Sequence, residues 1–181
     1  MEALIIVDMQ NDFCPEGALA VAEGNTIVQG INLLATKFEI VTTTQDWHPQ
    51  DHGSFASNHP GAKPYDIGVL SGRSQVLWPD HCVQNSSGAE LHPKLHVIAE
   101  NFVKGINPQA DSYSGFFDDD GTSTGLDEYL KSRKVKRVYI CGLATDYCVK
   151  FTALDALKLG YTTVVVDDLC KGVNINPTDT Q

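Results

Sequence analysis

Residues 4–8 read LIIVD, an unbroken apolar run that ends in an aspartate. A run this short is typical of a parallel strand covered on both faces, and it predicts that Asp8 stands at the carboxyl end of that strand. Apolar residues then recur at helical spacing over 27–34, after Asn25 as a candidate helix cap. Residues 39–44 form the next predicted strand. The beginning of the chain therefore predicts a βαβ unit.

Strands and helices continue to alternate along the rest of the chain. The further predicted elements are a strand over 96–100, a helix over 124–133, a strand over 137–141, a helix over 147–159 that ends at Gly160, and a strand over 162–166. This alternation predicts an α/β fold of three layers, α/β/α, around a central, mostly parallel sheet. Ligands of such folds bind beyond the carboxyl ends of the strands. The stretch 45–93 lacks periodicity, which predicts functional loops there.

Composition limits the classes of protein and partner. The chain has 181 residues, of which 42% are hydrophobic and 20% charged, as expected for one folded domain. A formal net charge of −10 opposes phosphate backbones, so we expect no nucleic-acid partner. Apolar runs are too short to span a membrane, and we expect no membrane partner. The five cysteines are scattered, without a CxxC pair, which favours free thiols in the cytoplasm.

A histidine and a carboxylate follow the second predicted strand in the pattern Asp46-x-His48. Side chains two residues apart in an extended backbone point the same way, so this pair can reach one ion. His81, from the long loop, supplies a second imidazole. Two histidines and one carboxylate with open positions suit Zn, Fe or Mn. His52 and His59 are weaker candidates, because a hydrogen-bonded histidine is the simpler interpretation of each.

Cys148 begins a predicted helix after a glycine-containing loop. Free backbone N–H groups and the helix dipole at such a place favour a thiolate, and the same N–H groups can hold an oxyanion. A thiol nucleophile also needs a base and a group that stabilises its charge. Asp8 and Lys104 both lie at strand ends, so they can converge on Cys148 at one edge of the sheet.

Six segments resemble nicotinamidases of the isochorismatase-like hydrolases, and together they span nearly the whole chain. They are VDMQNDF (7–13), TQDWHPQDHGSFASNHP (44–60), LWPDHCVQNSSGAELHP (77–93), FVKGINP (102–108), DSYSGFF (111–117) and GLATDYCVKFTALDALKLGY (142–161). The resemblance implies hydrolysis of nicotinamide to nicotinate and ammonia for NAD salvage, with pyrazinamide as an analogue substrate. It also implies a small-molecule partner and leaves a homo-oligomer open.

The resemblance also implies roles for particular residues. The family's catalytic triad corresponds to Asp8, Lys104 and Cys148, and its metal ligands correspond to Asp46, His48 and His81. One divalent ion, zinc first with iron or manganese as alternatives, is the implied cofactor, and His52 matches a ligand of some members only. Phe13, Trp78 and Tyr113 are the aromatic residues expected around the substrate ring. A cis peptide before Ala144 and an oxyanion hole made by the N–H groups of Ala144 and Cys148 are also implied.

Two other interpretations of the residues stay open. A hydrolase of the same superfamily acting on isochorismate or a carbamoyl compound would not need the Asp46, His48 and His81 set. A two-histidine, one-carboxylate oxygenase or a non-catalytic metal-binding module could use that same set. We expect residues 1–181 to form one isochorismatase-like hydrolase domain, truncated before a last helix and strand, because residues 176–179 (NPTD) resemble the opening of another helix.

Overall fold

The computed structural model describes residues 1–180. The strands are β1 (Glu2–Val7), β2 (Val41–Asp46), β3 (Ile67–Leu70), β4 (Arg73–Val76), β5 (Glu100–Lys104), β6 (Arg137–Leu143) and β7 (Thr162–Lys171). The α-helices are α1 (Val28–Ala35), α2 (Leu126–Ser132) and α3 (Lys150–Lys158). Among residues 1–180, every helix is too short or too polar to cross a lipid bilayer.

A five-stranded sheet with the order β5-β2-β1-β6-β7 forms the centre of the molecule, and all its strand pairs are parallel. Residues 3–7 of β1 are fully buried, as expected for the middle strand of a sheet covered on both faces. From β1 to β2 the chain moves toward one edge of the sheet, and from β6 to β7 it moves toward the other edge. Because such crossovers are right-handed, α1 and α3 lie on opposite faces. The predicted three-layer architecture is confirmed.

Strand positions differ from the prediction in two neighbouring strands, β5 and β2. The third predicted strand, 96–100, was wrong, since β5 starts at Glu100 and ends at Lys104. The register explains the difference: β5 pairs with Thr42–Asp46 of β2, while Ile98 lies fully exposed ahead of the pairing. β2 itself runs two residues later than predicted, so Asp46 ends the strand.

Other boundaries also needed correction. Asn25 lies inside a 3-10 turn, Gly24–Ile27, and does not cap α1. The helix predicted over 147–159 begins as a π-helical turn, Thr145–Val149, and continues as α3. The last strand, predicted over 162–166, is twice as long in the structure.

The long loop region contains a β-hairpin that the sequence analysis missed. Strands β3 and β4 pair antiparallel across Ser71 and Gly72, whose φ angles are 48° and 79°. Two positive φ angles in a two-residue loop are typical of a type I′ turn, for which the Ser-Gly pair was the available signal. Each strand has only four residues, too few for alternation to show clearly.

Candidate active site

Four chemically active side chains meet at the carboxyl edge of the parallel sheet. Asp8 follows β1, Asp46 ends β2, Lys104 ends β5, and Cys148 lies in the turn after β6. These four strands are neighbours in the order β5-β2-β1-β6. The sheet therefore brings together residues that are up to 140 positions apart in the chain.

Lys104 is the centre of this group. Its fully buried ammonium lies 3.1 Å from Asp8 Oδ2, forms an ion pair with Asp46 Oδ1 and donates to the Ser112 carbonyl at 2.8 Å. Burial works against the charge, but Asp46 and Asp8 outweigh it and hold the pKa of Lys104 well above its ordinary value. Lys104 is therefore a fixed cation that links the triad candidates to the metal-ligand candidates.

The Cys148 sulfur lies 3.6 Å from Lys104 Nζ and within 4.8 Å of an Asp8 carboxylate oxygen. The three residues predicted as a triad are thus in mutual reach. Burial raises the pKa of the Cys148 thiol well above its ordinary value, and Lys104 offsets only part of that rise. The direction is opposite to the one expected from a helix start, so the resting group is a thiol that needs a base.

Asp8 has the properties of that base. Thr44 Oγ1 donates to its Oδ1 at 2.6 Å, whereas its buried Oδ2 has no aligned hydrogen-bond donor within residues 1–180. Burial raises the pKa of Asp8, against the opposing effect of Lys104. The backbone of Asp8 has φ 45°, a left-handed conformation that is uncommon for residues other than glycine and that recurs at functional sites as well as in turns. Thr44 was missed because a strand threonine carries no signal of its own.

Asp46, His48 and His81 form a buried cluster whose potential ligand atoms all lie within 4.8 Å of one another. Asp46 Oδ2 is 3.6 Å from His48 Nε2 and 3.8 Å from His81 Nε2. Each imidazole places Nδ1 against a main-chain carbonyl: His48 on Gly105 at 2.9 Å, and His81 on Pro79 at 2.7 Å. Because Nδ1–H donates there, both Nε2 atoms are left for an ion, as in protein metal sites.

Gly105 is required for this arrangement. Its φ is 66°, and a Cβ at this position would overlap the His48 ring. The glycine after Lys104 therefore allows His48 to approach the loop closely and to use its carbonyl. Asp46 is ionised: burial favours the neutral acid, but Lys104 and His48 hold its pKa well below the ordinary value. The residues present fit a divalent cation.

His52 lies beside this cluster, with its ring 4.3 Å from the ring of His48. Its Nδ1 is 2.7 Å from Ser54 Oγ, and its Nε2 is 3.2 Å from the Ala110 carbonyl. Burial and the neighbouring His48 lower the pKa of His52 to about 4, which keeps the imidazole neutral. Both nitrogens of His52 are hydrogen-bonded, and His52 is not among the described residues whose potential ligand atoms cluster with those of Asp46.

A cavity opens above Cys148, and all three aromatic residues predicted around a substrate line it: Phe13, Trp78 and Tyr113. The Trp78 indole N–H donates to the Tyr113 hydroxyl at 3.1 Å. Further lining residues, which the sequence analysis did not select, are Leu19, Asp111, Ser112, Tyr147 and Val173. Each of these residue types is common elsewhere in the chain and gave a weak signal, and the loops that bring them together could not be folded from sequence alone.

The turn that carries Cys148 begins with a cis peptide between Leu143 and Ala144, as the resemblance implied. Val149 N–H donates to the Ala144 carbonyl at 3.0 Å and closes the π-helical turn. Gly142 precedes it with φ 119°, where a Cβ would overlap the Val7 carbonyl oxygen. A glycine is therefore needed for β6 to pass β1 at the rim of the cavity, and Ala144 and Cys148 both line that cavity.

Comparisons with known proteins agree with this geometry. The Isochorismatase domain model matches residues 2–181. The nicotinamidase of Escherichia coli (strain K12) is 55% identical over 98% of this chain and 86% of its own length. A nicotinamidase and pyrazinamidase structure from Acinetobacter baumanii is 50% identical, covers 97% of this chain and 86% of its own, and has a TM-score of 0.94.

A third relative was solved with a metal. The pyrazinamidase of Pyrococcus horikoshii in complex with zinc is 43% identical, covers 99% of this chain and 89% of its own, and has a TM-score of 0.81. The family model and both solved structures thus match this chain over almost its whole length. The chain therefore belongs to the isochorismatase family, and it is similar over nearly its whole length to the nicotinamidases of that family.

Proposed function

We propose that this protein hydrolyses nicotinamide to nicotinate and ammonia through a thioester on Cys148. The observation that carries the proposal is the meeting of the Cys148 sulfur, Lys104 Nζ at 3.6 Å and Asp8 within 4.8 Å, below an aromatic cavity. The 55% identity to a nicotinamidase supports the choice of substrate. Pyrazinamide, which differs by one ring nitrogen, is the second substrate we propose, and NAD salvage is the role.

Acylation starts with the proton on the Cys148 thiol and with Asp8 as a carboxylate. Asp8 Oδ2, which lacks an aligned donor within residues 1–180, accepts the Cys148 proton as the sulfur attacks the carboxamide carbon. Lys104 stabilises the negative charge first on the Asp8 carboxylate and then on the Cys148 sulfur. The oxyanion forms opposite the backbone N–H groups of Ala144 and Cys148. Asp8 then gives its proton to the nitrogen, the C–N bond breaks and ammonia leaves.

Deacylation repeats the sequence with water. Asp8, again a carboxylate, takes a proton from a water that attacks the thioester carbon. The C–S bond breaks, nicotinic acid leaves and loses its proton to solvent as nicotinate, and the Cys148 thiolate recovers its proton from Asp8. The raised pKa values of Asp8 and Cys148 suit this exchange. Burial disfavours the charged form of each group, so a proton can pass from one to the other.

Asp46, His48 and His81 would hold one divalent ion, and we propose zinc, with iron or manganese as alternatives for the same donor set. The relative from Pyrococcus horikoshii was solved with zinc. When bound, the ion supplies a Lewis acid for the pyridine nitrogen of the substrate. The chain's own contribution is orientation, because Phe13, Trp78 and Tyr113 line the cavity that would take the ring and place the carboxamide over Cys148.

We also propose that residues 1–181 form a single isochorismatase-like hydrolase domain. The cytoplasmic location and the homo-oligomer stay predictions.

Release of ammonia from nicotinamide under anaerobic conditions tests the proposed reaction. We expect purified, metal-loaded protein to form ammonia and nicotinate in equal amounts without oxygen or a cosubstrate. Turnover that required oxygen would favour the oxygenase interpretation, and an inert protein that still bound metal would favour the binding module. Activity on isochorismate or a carbamoyl compound, with none on nicotinamide, would favour the related hydrolases.

Replacing His48 by alanine should lower metal content sharply. The change removes one of the three proposed ligands. Loss of a residue that only hydrogen-bonds a metal ligand lowers metal affinity by up to about 100-fold, so we expect a larger fall here. Metal content after dialysis against a chelator, measured by elemental analysis, gives the result. His59→Ala is the matched control, because the His59 ring bonds the Gly53 carbonyl at 2.7 Å outside the cluster. Equal metal content in both variants would remove His48 from the ligand set.

Replacing Phe13 by alanine should weaken substrate binding more than turnover. Phe13 is 5% exposed and lines the cavity, so its loss removes apolar contact with the ring and should raise KM about tenfold. Trp78→Ala should act in the same direction. Phe38→Ala is the control, because Phe38 packs on Tyr139 away from the cavity and should affect stability only. A KM that changes equally for Phe13 and Phe38 variants would make Phe13 an ordinary core residue.

A further inference from the structure

Ser112 has a buried hydroxyl without a partner beside the proposed reaction centre. The residue is 1% exposed and lines the cavity above Cys148, yet its Oγ makes no hydrogen bond to any part of residues 1–180. Its neighbours are engaged: Asp111 Oδ2 accepts from Gln75 Nε2, and Ser114 Oγ accepts from the Phe116 N–H at 3.1 Å. Among residues 1–180, the other buried side-chain oxygen without an aligned hydrogen bond is Asp8 Oδ2, which has Lys104 Nζ at 3.1 Å and acts as the base in the proposed reaction.

The backbone of Ser112 is fixed next to the triad. Its carbonyl accepts from Lys104 Nζ at 2.8 Å, and Nζ lies 3.6 Å from the Cys148 sulfur. Its N–H donates to Asp111 Oδ1 at 2.9 Å. The serine is therefore joined to the triad through Lys104 Nζ, which contacts both the Ser112 carbonyl and the Cys148 sulfur.

An unpaired buried hydroxyl destabilises a protein, so a persistent one calls for an explanation such as a ligand partner. Nicotinamide offers few polar groups. In the proposed mechanism the ring nitrogen lies at the metal site, and the carboxamide oxygen lies against the N–H groups of Ala144 and Cys148. The amide N–H groups are the ones still without an acceptor, and a serine oxygen has lone pairs to accept from them.

We propose that the Ser112 hydroxyl accepts a hydrogen bond from the carboxamide N–H of the substrate and so selects a primary amide. The contact also orients the nitrogen, turning its lone pair toward the proton on Asp8 as the C–N bond breaks. This inference rests on the proposed function, and it makes Ser112 a substrate-positioning residue for the leaving group.

The first test compares Ser112→Ala with Ser114→Ala. Ser112→Ala should lower kcat/KM for nicotinamide by about 10- to 100-fold, the range for leaving a buried partner unpaired, while Tm stays the same or rises. Ser114→Ala loses a hydrogen bond to the Phe116 N–H, so its Tm should fall with activity within about threefold of the wild type. Unchanged activity in Ser112→Ala, or a loss that accompanies a lower Tm, would overturn the proposal.

The second test measures binding without turnover, in a Cys148→Ala background. The probes are nicotinamide and 3-acetylpyridine, which keeps the ring and carbonyl but replaces NH₂ by a methyl group. Adding Ser112→Ala should weaken nicotinamide binding about tenfold and leave 3-acetylpyridine binding within about twofold. Equal effects on both probes would overturn the proposal. Because the wild-type ammonia assay is separate, an inactive wild type would refute the proposed function, whereas these binding results refute only the role of Ser112.

Discussion

Cys148→Ala abolishes hydrolysis of nicotinamide, with kcat/KM lower by about 10⁴-fold or more, if the thiol is the nucleophile. The Cys148 sulfur lies 3.6 Å from Lys104 Nζ and within 4.8 Å of an Asp8 carboxylate oxygen, so the thiol has both a base and a cation beside it. The fold and metal content should remain, because the sulfur is small and outside the ligand set. Steady-state kinetics with circular dichroism and metal analysis give the result.

Cys141→Ala is the matched control for that variant. Cys141 is also buried, but it lies within β6, and burial raises its pKa well above the ordinary value. We expect a small loss of stability and activity within about threefold of the wild type. Comparable residual activity in the two variants would place the nucleophile elsewhere.

Lys104→Ala should unfold the protein more easily as well as inactivate it. The change leaves the carboxylates of Asp8 and Asp46 buried without their shared cation, and breaking a buried ion pair in this way costs about 3–5 kcal/mol. Activity should also disappear, because no cation remains to stabilise the thiolate. Urea denaturation monitored by fluorescence measures the free energy of unfolding, and the ammonia assay measures activity.

Lys131→Ala serves as the control for the loss of a lysine ion pair. Lys131 bonds Asp127 one helical turn away, but its side chain is 58% exposed, so solvent screens the pair. Its removal should change the free energy of unfolding by less than about 1 kcal/mol and leave activity intact. An unfolding free energy for Lys104→Ala as high as that of Lys131→Ala would show that Lys104 does not hold the two acids together.

The meeting of Asp8, Lys104 and Cys148 was predictable because a general rule applies to them. Parallel strands end at one edge of the sheet, so residues at those ends converge even when a strand is misplaced. Lys104 illustrates this: the predicted strand ended at residue 100 and the real one at Lys104, yet both put the lysine at the same edge. Assignment of chemical roles needed the resemblance, since strand-end aspartates and lysines are usually structural.

The supporting contacts were not predictable from sequence. Thr44 on Asp8 depends on the register between β1 and β2. Ser112 beside Lys104 and the Gly105 carbonyl on His48 depend on how irregular loops fold over the sheet edge. Such loops have no period to identify them, and each contact joins residues far apart in the chain. The direction of the pKa shift of Cys148 was also not predictable, because a helix start predicts the dipole, which favours a thiolate, but not the depth of burial, which raises the pKa of the thiol.

Formation of the thioester is tested most directly by a single turnover with protein in excess over nicotinamide. Samples quenched in acid at successive times would be analysed for ammonia, nicotinate and the mass of the peptide that contains Cys148. We expect ammonia to appear before nicotinate, with a nicotinoyl group on Cys148 accounting for the difference. Ammonia and nicotinate that rise together at every time, with Cys148 unmodified throughout, would contradict the account.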